Sequence, residues 1–186
     1  MAMPLPRHDW TASDLLELPD DGNRYEVLDG ALLVTPAPSL AHQRAAAMLY
    51  RVLTDYLATQ PVGEAIIAPA DVNFSKRRVL QPDVFVIPFV GGRRASRFED
   101  VGRLLLAVEV ISASTARADR VAKRRVFREE GVPEYWVVDL DARTIERSTP
   151  ADERVDVFAD TIAWSPEGAS APLRFALAEY FGAVLD

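Results

Sequence analysis

The chain has 186 residues, a formal net charge of −7 and 49% hydrophobic residues, values typical of one globular domain spanning residues 1–186. It contains no cysteine, which excludes disulfides, thiolate metal sites and cysteine nucleophiles. No stretch approaches the roughly 18 apolar residues of a membrane-spanning helix. Because the N-terminus also lacks the apolar core of a signal peptide, a cytoplasmic location without membrane contact is expected.

Hydrophobic periodicity and turn residues predict a chain that mixes helices and strands. A short helix is predicted from Thr11 to about Leu18, and Asp29-Gly30 is predicted as the tight turn of a hairpin. The other predicted helices are 40–59, 115–130 and 176–181. The predicted strands are 24–28, 31–34, 64–68, 71–74, 79–87 with Pro82 interrupting it, 104–111, 135–138 and several short antiparallel strands within 143–164.

This order of elements predicts the architecture. Strand 104–111, helix 115–130 and strand 135–138 should form a right-handed βαβ crossover with parallel strands. Together with the hairpin and the antiparallel strands, the crossover predicts an α/β fold in which helices flank a mixed central sheet.

Two of the predicted buried strands each carry one carboxylate. Asp83 and Glu109 both lie in apolar runs rich in β-branched residues. A buried carboxylate is costly unless it is paired or binds a metal, so two of them on neighbouring strands indicate a site for Mg²⁺ or Mn²⁺. The alternative is structural, with Asp83 ending a turn and Glu109 paired to an arginine such as Arg103 or Arg125.

A basic helix with Lys123 on it follows the second of these strands. Two acids and a lysine on a strand-strand-helix frame suit metal-assisted hydrolysis of a phosphodiester. Residues 76–128 hold 13 of the 21 Lys and Arg but only 5 of the 28 Asp and Glu. A positive face here would suit DNA, although such helices are often only solvated, and Lys123 could simply pair with Asp119 at i,i+4.

Six motifs occur along the chain in a specific order: RYEVLDG at 24–30, PAPS at 36–39 with His42, QPD at 81–83, VEVIS at 108–112, Asp119 with Lys123, and GVPEYWVVD at 131–139. This set resembles the Uma-two family (domain of unknown function 820), a family of suspected restriction endonucleases in the PD-(D/E)XK nuclease superfamily. The resemblance covers about residues 24–140.

The resemblance implies a restriction-endonuclease-like core and Mg²⁺- or Mn²⁺-dependent hydrolysis of DNA. It implies that Asp83 and Glu109 bind the metal, with the carbonyl of Val110 as a further ligand. The superfamily's lysine normally lies two residues after the second acid, where this chain has Ile111. Lys123 on the next helix is the expected replacement.

The remaining candidate residues extend this site. Glu26 resembles the additional acid that many such nucleases contribute. Candidate substrate-binding residues are Gln81, His42, Arg117, Arg120 and Arg124. A turn position for Gln81 and a helix-face position for His42 are the structural alternatives.

Two other functions compete with an active DNA endonuclease. The acidic net charge and Ile111 favour a catalytically inactive nuclease-fold module that binds a partner. Repair, junction processing or RNA hydrolysis is the second alternative. A homodimer is expected, because cutting both strands of a duplex needs two sites related by symmetry. The apolar residues Phe175, Leu177, Tyr180 and Phe181 could form its interface or close the core.

Overall fold

The computed structural model describes residues 9–97, 102–112 and 115–186. Its helices are α1 (Ala12–Leu15), α2 (Leu40–Thr59), a π-helical segment (Ala118–Lys123) that continues into α3 (Arg124–Glu129), and α4 (Leu177–Leu185). Its strands are β1 (Arg24–Leu28), β2 (Ala31–Thr35), β3 (Gly63–Ile67), β4 (Val72–Ser75), β5 (Arg78–Leu80), β6 (Val84–Pro88), β7 (Leu106–Ile111), β8 (Tyr135–Asp139), β9 (Thr144–Ser148), β10 (Asp156–Phe158), β11 (Thr161–Trp164) and β12 (Leu173–Ala176).

A six-stranded mixed sheet forms the centre of the protein, in the order β10-β9-β8-β7-β6-β3. Strands β7 and β8 are parallel and are joined through the helix between them, while the other neighbours are antiparallel. The predicted α/β fold with a mixed central sheet flanked by helices is therefore confirmed. A separate pair, β11 and β12, extends the fold near the C-terminus.

A smaller sheet of four strands lies beside the central sheet, in the order β2-β1-β5-β4. The single strand predicted over 79–87 is instead two strands, with β5 in the small sheet and β6 in the central sheet. Pro82 lies between them and has no N–H to donate to a ladder, so pairing stops there and the chain changes sheets. This change of sheet places Asp83 at the junction of the two sheets.

The main core lies between the central sheet and the helices α2 and α4. The buried side of α2 follows helical spacing, as the apolar pattern predicted, and includes Leu49 and Leu53. From α4, Leu177, Tyr180 and Phe181 are buried in the same core. Of the two alternatives for these three side chains, closure of the core therefore holds, while Phe175 is only partly buried against it.

The predicted helix 115–130 contains a wide π-helical turn. The N–H of Arg124 donates to the carbonyl of Asp119, five residues earlier, and the hydroxyl of Tyr135 donates to the same carbonyl at 3.1 Å. Lys123 and Asp119 both point inward, each with only 2% of its surface exposed. Gly131 ends the helix with a φ of 70°, as expected for a glycine C-cap.

Glycine and arginine residues predict a loop at 88–102, and part of this segment lies outside the described residues. Its described positions form an irregular segment with one isolated bridge between Val90 and Arg93. Within the described ranges, no helix is both long and apolar enough to cross a membrane.

Candidate functional site

The buried charged side chains of the described residues all belong to one cluster: Glu26, Asp83, Glu109, Asp119 and Lys123. Strands β6 and β7 are antiparallel with Val84 opposite Val108, so Asp83, which immediately precedes β6, lies close to Glu109, the next residue of β7. The smaller sheet contributes Glu26 through β1, and the helix after β7 contributes Lys123 and Asp119. The four predicted catalytic positions are thus neighbours.

Lys123 joins three of these carboxylates. Its Nζ lies 2.8 Å from Oε1 of Glu109, 2.9 Å from Oε2 of Glu26 and 3.5 Å from Oδ1 of Asp119. The i,i+4 contact with Asp119 is therefore real, but it is the longest of the three. Lys123 acts first as the shared counter-ion of Glu109 and Glu26.

The arginines considered as structural partners of Glu109 lie elsewhere. Arg103 contacts Glu167, and Arg125 pairs with Asp29. The ion pair that stabilises Glu109 comes from Lys123 instead, which leaves the acid inside the cluster.

Glu26 is held from the smaller sheet by the turn that precedes Asp83. The backbone N–H of Gln81 donates to Oε1 of Glu26 at 2.8 Å. Oε2 of Glu26 is buried and, within the described part of the chain, forms no well-directed hydrogen bond despite its closeness to Lys123. An oxygen in this state is suited to accept a further ligand.

Arg24 belongs to this cluster, although the sequence analysis did not single it out. Its Nη1 donates to Oδ1 of Asp83 at 2.7 Å and to the carbonyl of Gln81 at 3.0 Å. The guanidinium also lies 3.7 Å from Glu26 through Nε and 4.0 Å from Glu109 through Nη2. The spacing in β1 could have indicated it, because positions 24 and 26 of a strand share one face.

His42 reaches the site from the first turn of α2. Its Nε2 lies 3.0 Å from Oδ2 of Asp83, and since a carboxylate only accepts, Nε2 carries the hydrogen. The backbone N–H of Val110 donates to the same oxygen at 2.8 Å. Burial opposes ionisation of Asp83, but the hydrogen bond from His42 and the charge of Arg24 outweigh it and lower the pKa of Asp83 to about 2. Asp83 is therefore ionised at neutral pH.

Glu109 has the opposite tendency. Burial raises the pKa of Glu109 well above its usual value, and the negative charges of Asp83, Asp119 and Glu26 add to this effect while Lys123 opposes it. Burial likewise raises the pKa of Asp119. For Lys123, burial disfavours the charge, but its carboxylate neighbours dominate and raise the pKa, so that the ammonium persists.

The donor set of the cluster fits a hard divalent cation. Four carboxyl groups face two permanent cations, Arg24 and Lys123, so with all four ionised the acids would exceed the cations by two charges. Carboxylate oxygens are the ligands that Mg²⁺ prefers, and Oε2 of Glu26 has no well-directed hydrogen bond within the described residues, although Lys123 lies 2.9 Å away. As the side chains stand, no three His, Asp or Glu residues of the described ranges are arranged to hold an ion. Arg24 and Lys123 lie between the acids.

A cleft of about 1440 Å³ opens above this cluster. Its floor includes Asp83, Arg24, His42, Gln81 and Val110. Behind the floor lie the fully buried members of the cluster: Glu26, Glu109 and Lys123. A molecule in the cleft would therefore meet Asp83 first and the other acids behind it.

The other candidate substrate-binding residues are dispersed. Arg120 pairs with Asp139 and Glu146, Arg124 lines a separate groove of about 520 Å³, and Arg117 is exposed. The side chain of Gln81 lines the cleft and donates to Asp71 at 2.6 Å. Roles in substrate binding remain predictions for all of these residues and for His42.

The basic segment is less positive in the fold than along the chain. Arg78 pairs with Asp29, Glu129 and Glu130. Arg120 and Arg125 are also paired with acids. The acidic partners of these arginines all lie outside residues 76–128: Asp29, Glu129, Glu130, Asp139 and Glu146. They offset much of the positive charge that residues 76–128 carry along the sequence.

Glu109→Gln is expected to stabilise the protein at pH 8. The folded-state pKa of Glu109 is raised above its unfolded value, so its ionisation opposes folding and the stability of the wild type should fall as pH rises above about 4.5. The variant removes this penalty and leaves Lys123 paired with Glu26. We expect a gain on the order of 1 kcal/mol, or about 2–4 °C in Tm, at pH 8 and less at pH 5.

Urea unfolding at the two pH values checks this expectation. Glu64→Gln is the matched control, because Glu64 pairs with Arg94 away from the cluster. A Glu109→Gln protein less stable than the wild type at pH 8 would contradict the charge excess inferred for the cluster.

The fold and the cluster together define a nuclease-like α/β domain, with acids from two sheets meeting a lysine under a cleft. The family model for Uma2, described as "Putative restriction endonuclease", matches residues 12–174, and the chain belongs to this family. The resemblance identified from the six motifs is thus confirmed.

Comparison with solved structures gives the same fold. A crystal structure of a putative nuclease belonging to DUF820, from Anabaena variabilis ATCC 29413, superposes with a TM-score of 0.77. It is 20% identical in sequence, and the match covers 94% of this chain and 99% of that chain. Sequence comparison with curated proteins gives no match.

Proposed function

We propose that this protein is an endonuclease that hydrolyses DNA phosphodiester bonds with the help of Mg²⁺ or Mn²⁺. The observation that carries the proposal is the buried cluster in which Lys123 joins Glu26, Glu109 and Asp119, with Asp83 beside it facing a cleft. Buried acids in excess over their cations are unfavourable in a purely structural role, and their concentration at a cleft indicates a functional site. Membership of a family described as putative restriction endonucleases supports a nuclease.

Asp83 and Glu109 would hold the cation, with Glu26 and the carbonyl of Val110 as further oxygen donors. When bound, the cation supplies a water of lowered pKa and stabilises charge on the phosphate. The chain positions the donors for this task. His42 and the N–H of Val110 both bond to Oδ2 of Asp83 and fix the carboxylate in its ionised form.

Lys123 has a second task in this proposal. It orients Glu109 and Glu26 through contacts of 2.8 and 2.9 Å, and its persistent charge offsets negative charge that builds up on the phosphate. Its approach from the helix after β7 provides the ammonium that the superfamily pattern places at the position of Ile111. The missing lysine at that position is therefore compatible with activity.

A catalytically inactive binding module is the second candidate. The observation in its favour is Arg24, whose guanidinium lies among Asp83, Glu26 and Glu109 and satisfies part of their charge without a metal. In that case the cluster would be a structural ion network under a binding cleft. Metal binding and cleavage separate the two functions.

The proposal predicts metal-dependent cleavage of DNA. The protein is incubated with supercoiled plasmid, linear duplex, single-stranded DNA and RNA, in Mg²⁺, Mn²⁺ or EDTA. We expect DNA products with either metal and none with EDTA, because the acids need a cation to act on a phosphate. Cleavage confined to RNA would show that the substrate is RNA and not DNA. Cleavage unaffected by EDTA would contradict the metal-dependent mechanism.

The homodimer is part of the same proposal. Two copies related by a two-fold axis would cut both strands of a duplex. Sedimentation of the protein with and without duplex DNA measures this directly.

A further inference from the structure

We propose that Arg24 is an exchangeable counter-ion: its guanidinium occupies the position of the divalent cation and leaves it on metal binding, to contact a substrate phosphate in the cleft. This inference rests on the proposed metal-dependent nuclease function. It assigns to Arg24 a role that neither the motif pattern nor the fold predicts.

Arg24 is held at one end of its guanidinium, where Nη1 donates to Oδ1 of Asp83 and to the carbonyl of Gln81. Its guanidinium faces three carboxylates, but only the contact with Asp83, at 2.7 Å, is a hydrogen bond. The contacts with Glu26 and Glu109 are 3.7 and 4.0 Å long, and the buried Nε has no hydrogen-bond partner among the described residues. A guanidinium can form two parallel hydrogen bonds to one carboxylate, and Arg24 forms no such bidentate pair with Asp83 here.

The charge of the cluster favours an exchange. With Arg24 in place and all four acids ionised, the acids would exceed the two cations by two charges. When Arg24 leaves, Lys123 is the remaining cation and the excess of negative charge rises to three. A bound divalent cation would reduce this excess to one. Lys123 cannot leave in the same way, because it is buried beneath the floor and holds three acids at once.

Arg24 also has a route out of the cluster. It is the first residue of β1, it lines the cleft, and 18% of its side chain is exposed. Lys123, by comparison, has 3% of its side chain exposed. A rotation of the long side chain would bring the guanidinium into the cleft above Asp83, where it suits a phosphate because its planar donors match phosphate oxygens.

The first test measures Mn²⁺ affinity by calorimetry for the wild type, Arg24→Gln and Arg24→Lys. Removing the competing cation should tighten Mn²⁺ binding by Arg24→Gln at least tenfold, with Arg24→Lys closer to the wild type. Arg143→Gln is the matched control, because Arg143 lines the same cleft but pairs with Asp186, and its affinity should stay within twofold of the wild type. Unchanged or weaker binding by Arg24→Gln would overturn the exchange.

The second test uses the wild-type protein and does not depend on a variant that folds. Phenylglyoxal modifies accessible guanidinium groups, and peptide mass spectrometry resolves the rate at each arginine. We expect saturating Mg²⁺ to raise the modification rate of Arg24 at least threefold and to leave that of Arg143 unchanged. A rate at Arg24 that is unchanged or lower would overturn the proposal.

The phosphate contact is tested by the anisotropy of a labelled DNA oligonucleotide in Ca²⁺, which is used to limit cleavage. Arg24→Gln should bind at least threefold more weakly than the wild type, with partial recovery in Arg24→Lys. Equal affinities would overturn the phosphate contact.

Failure of the inference differs from failure of the proposed function. If the wild type binds Mn²⁺ and cleaves DNA but Arg24→Gln binds no tighter, only the exchange is wrong. If neither protein binds Mn²⁺, the metal-dependent nuclease function is wrong as well.

Discussion

Asp83→Asn is expected to reduce DNA cleavage by on the order of 10³-fold or more. The substitution keeps the shape of the side chain and an oxygen that can accept from the N–H of Val110, but it removes the negative charge of Asp83 at the floor of the cleft. Metal affinity and rate should therefore fall together while the fold is retained. Single-turnover cleavage of a labelled oligonucleotide, with protein in excess, measures the change.

Asp71→Asn is the appropriate control for this experiment. Asp71 also lines the cleft, but its side chain accepts a hydrogen bond from Gln81 and takes no part in the buried cluster. Its rate should remain within a few fold of the wild type. If Asp83→Asn retained cleavage within tenfold of the wild type, Asp83 would not be a metal ligand.

Lys123→Met is expected to destabilise the protein by about 3–5 kcal/mol at neutral pH, the usual cost of removing one partner from a buried ion network. Lys123 is the nearest cation to both Glu26 and Glu109, and its loss leaves these acids buried beside Asp119 with Arg24 as their remaining counter-charge. Because methionine fills a volume similar to that of lysine, the loss of stability reflects the missing charge more than a change in packing. Urea unfolding followed by circular dichroism gives the free energy.

Two comparisons make this prediction specific. The double variant Lys123→Met with Glu109→Gln should recover part of the loss, because the excess negative charge is smaller. The loss should also shrink at pH 5, since the raised pKa of Glu109 favours its protonated form when the ammonium is absent. A loss below about 1 kcal/mol at pH 7, with no pH dependence, would show that Lys123 is not the main counter-ion.

Sequence reasoning predicted the elements with strong local signals. The hairpin at Asp29-Gly30 and strand β1 occur where expected, because both turn residues adopt the positive φ angles that this turn requires. Helix α2 begins and ends at the predicted residues, since its apolar periodicity runs over 20 residues from a serine cap. Strand β7 and the parallel strand β8 followed from continuous apolar runs.

The features that sequence reasoning missed depend on tertiary structure. An apolar run does not show which sheet it joins, so 79–87 was predicted as one strand, and β12 was not predicted. The π-helical turn also left no clear signal, because Asp119 and Lys123 share a face at i,i+4 in an α-helix as well.

For the site, the acids were easier to predict than their partners. A carboxylate inside an apolar run is costly in any fold, so Asp83 and Glu109 stood out before their neighbours were known. Arg24 did not stand out, because an arginine at the start of a strand is usually solvated. The pairing of Arg120 with Asp139 and Glu146 depends on how the helix packs against β8 and β9, which no local pattern records.

The contacts that assemble the cluster join distant parts of the chain, and this has a consequence for how the protein matures. Glu26 and Arg24 bond to residues 55 to 59 positions later, and Lys123 arrives only after β7. Because contacts of long sequence separation close slowly, the cluster is expected to be among the last parts to form. A chain that has emerged from the ribosome only as far as β7 would hold Glu26, Asp83 and Glu109 without Lys123, and under the proposed function it could not yet cleave nucleic acid. Cleavage competence would thus begin only after the crossover helix has docked, when synthesis is well advanced.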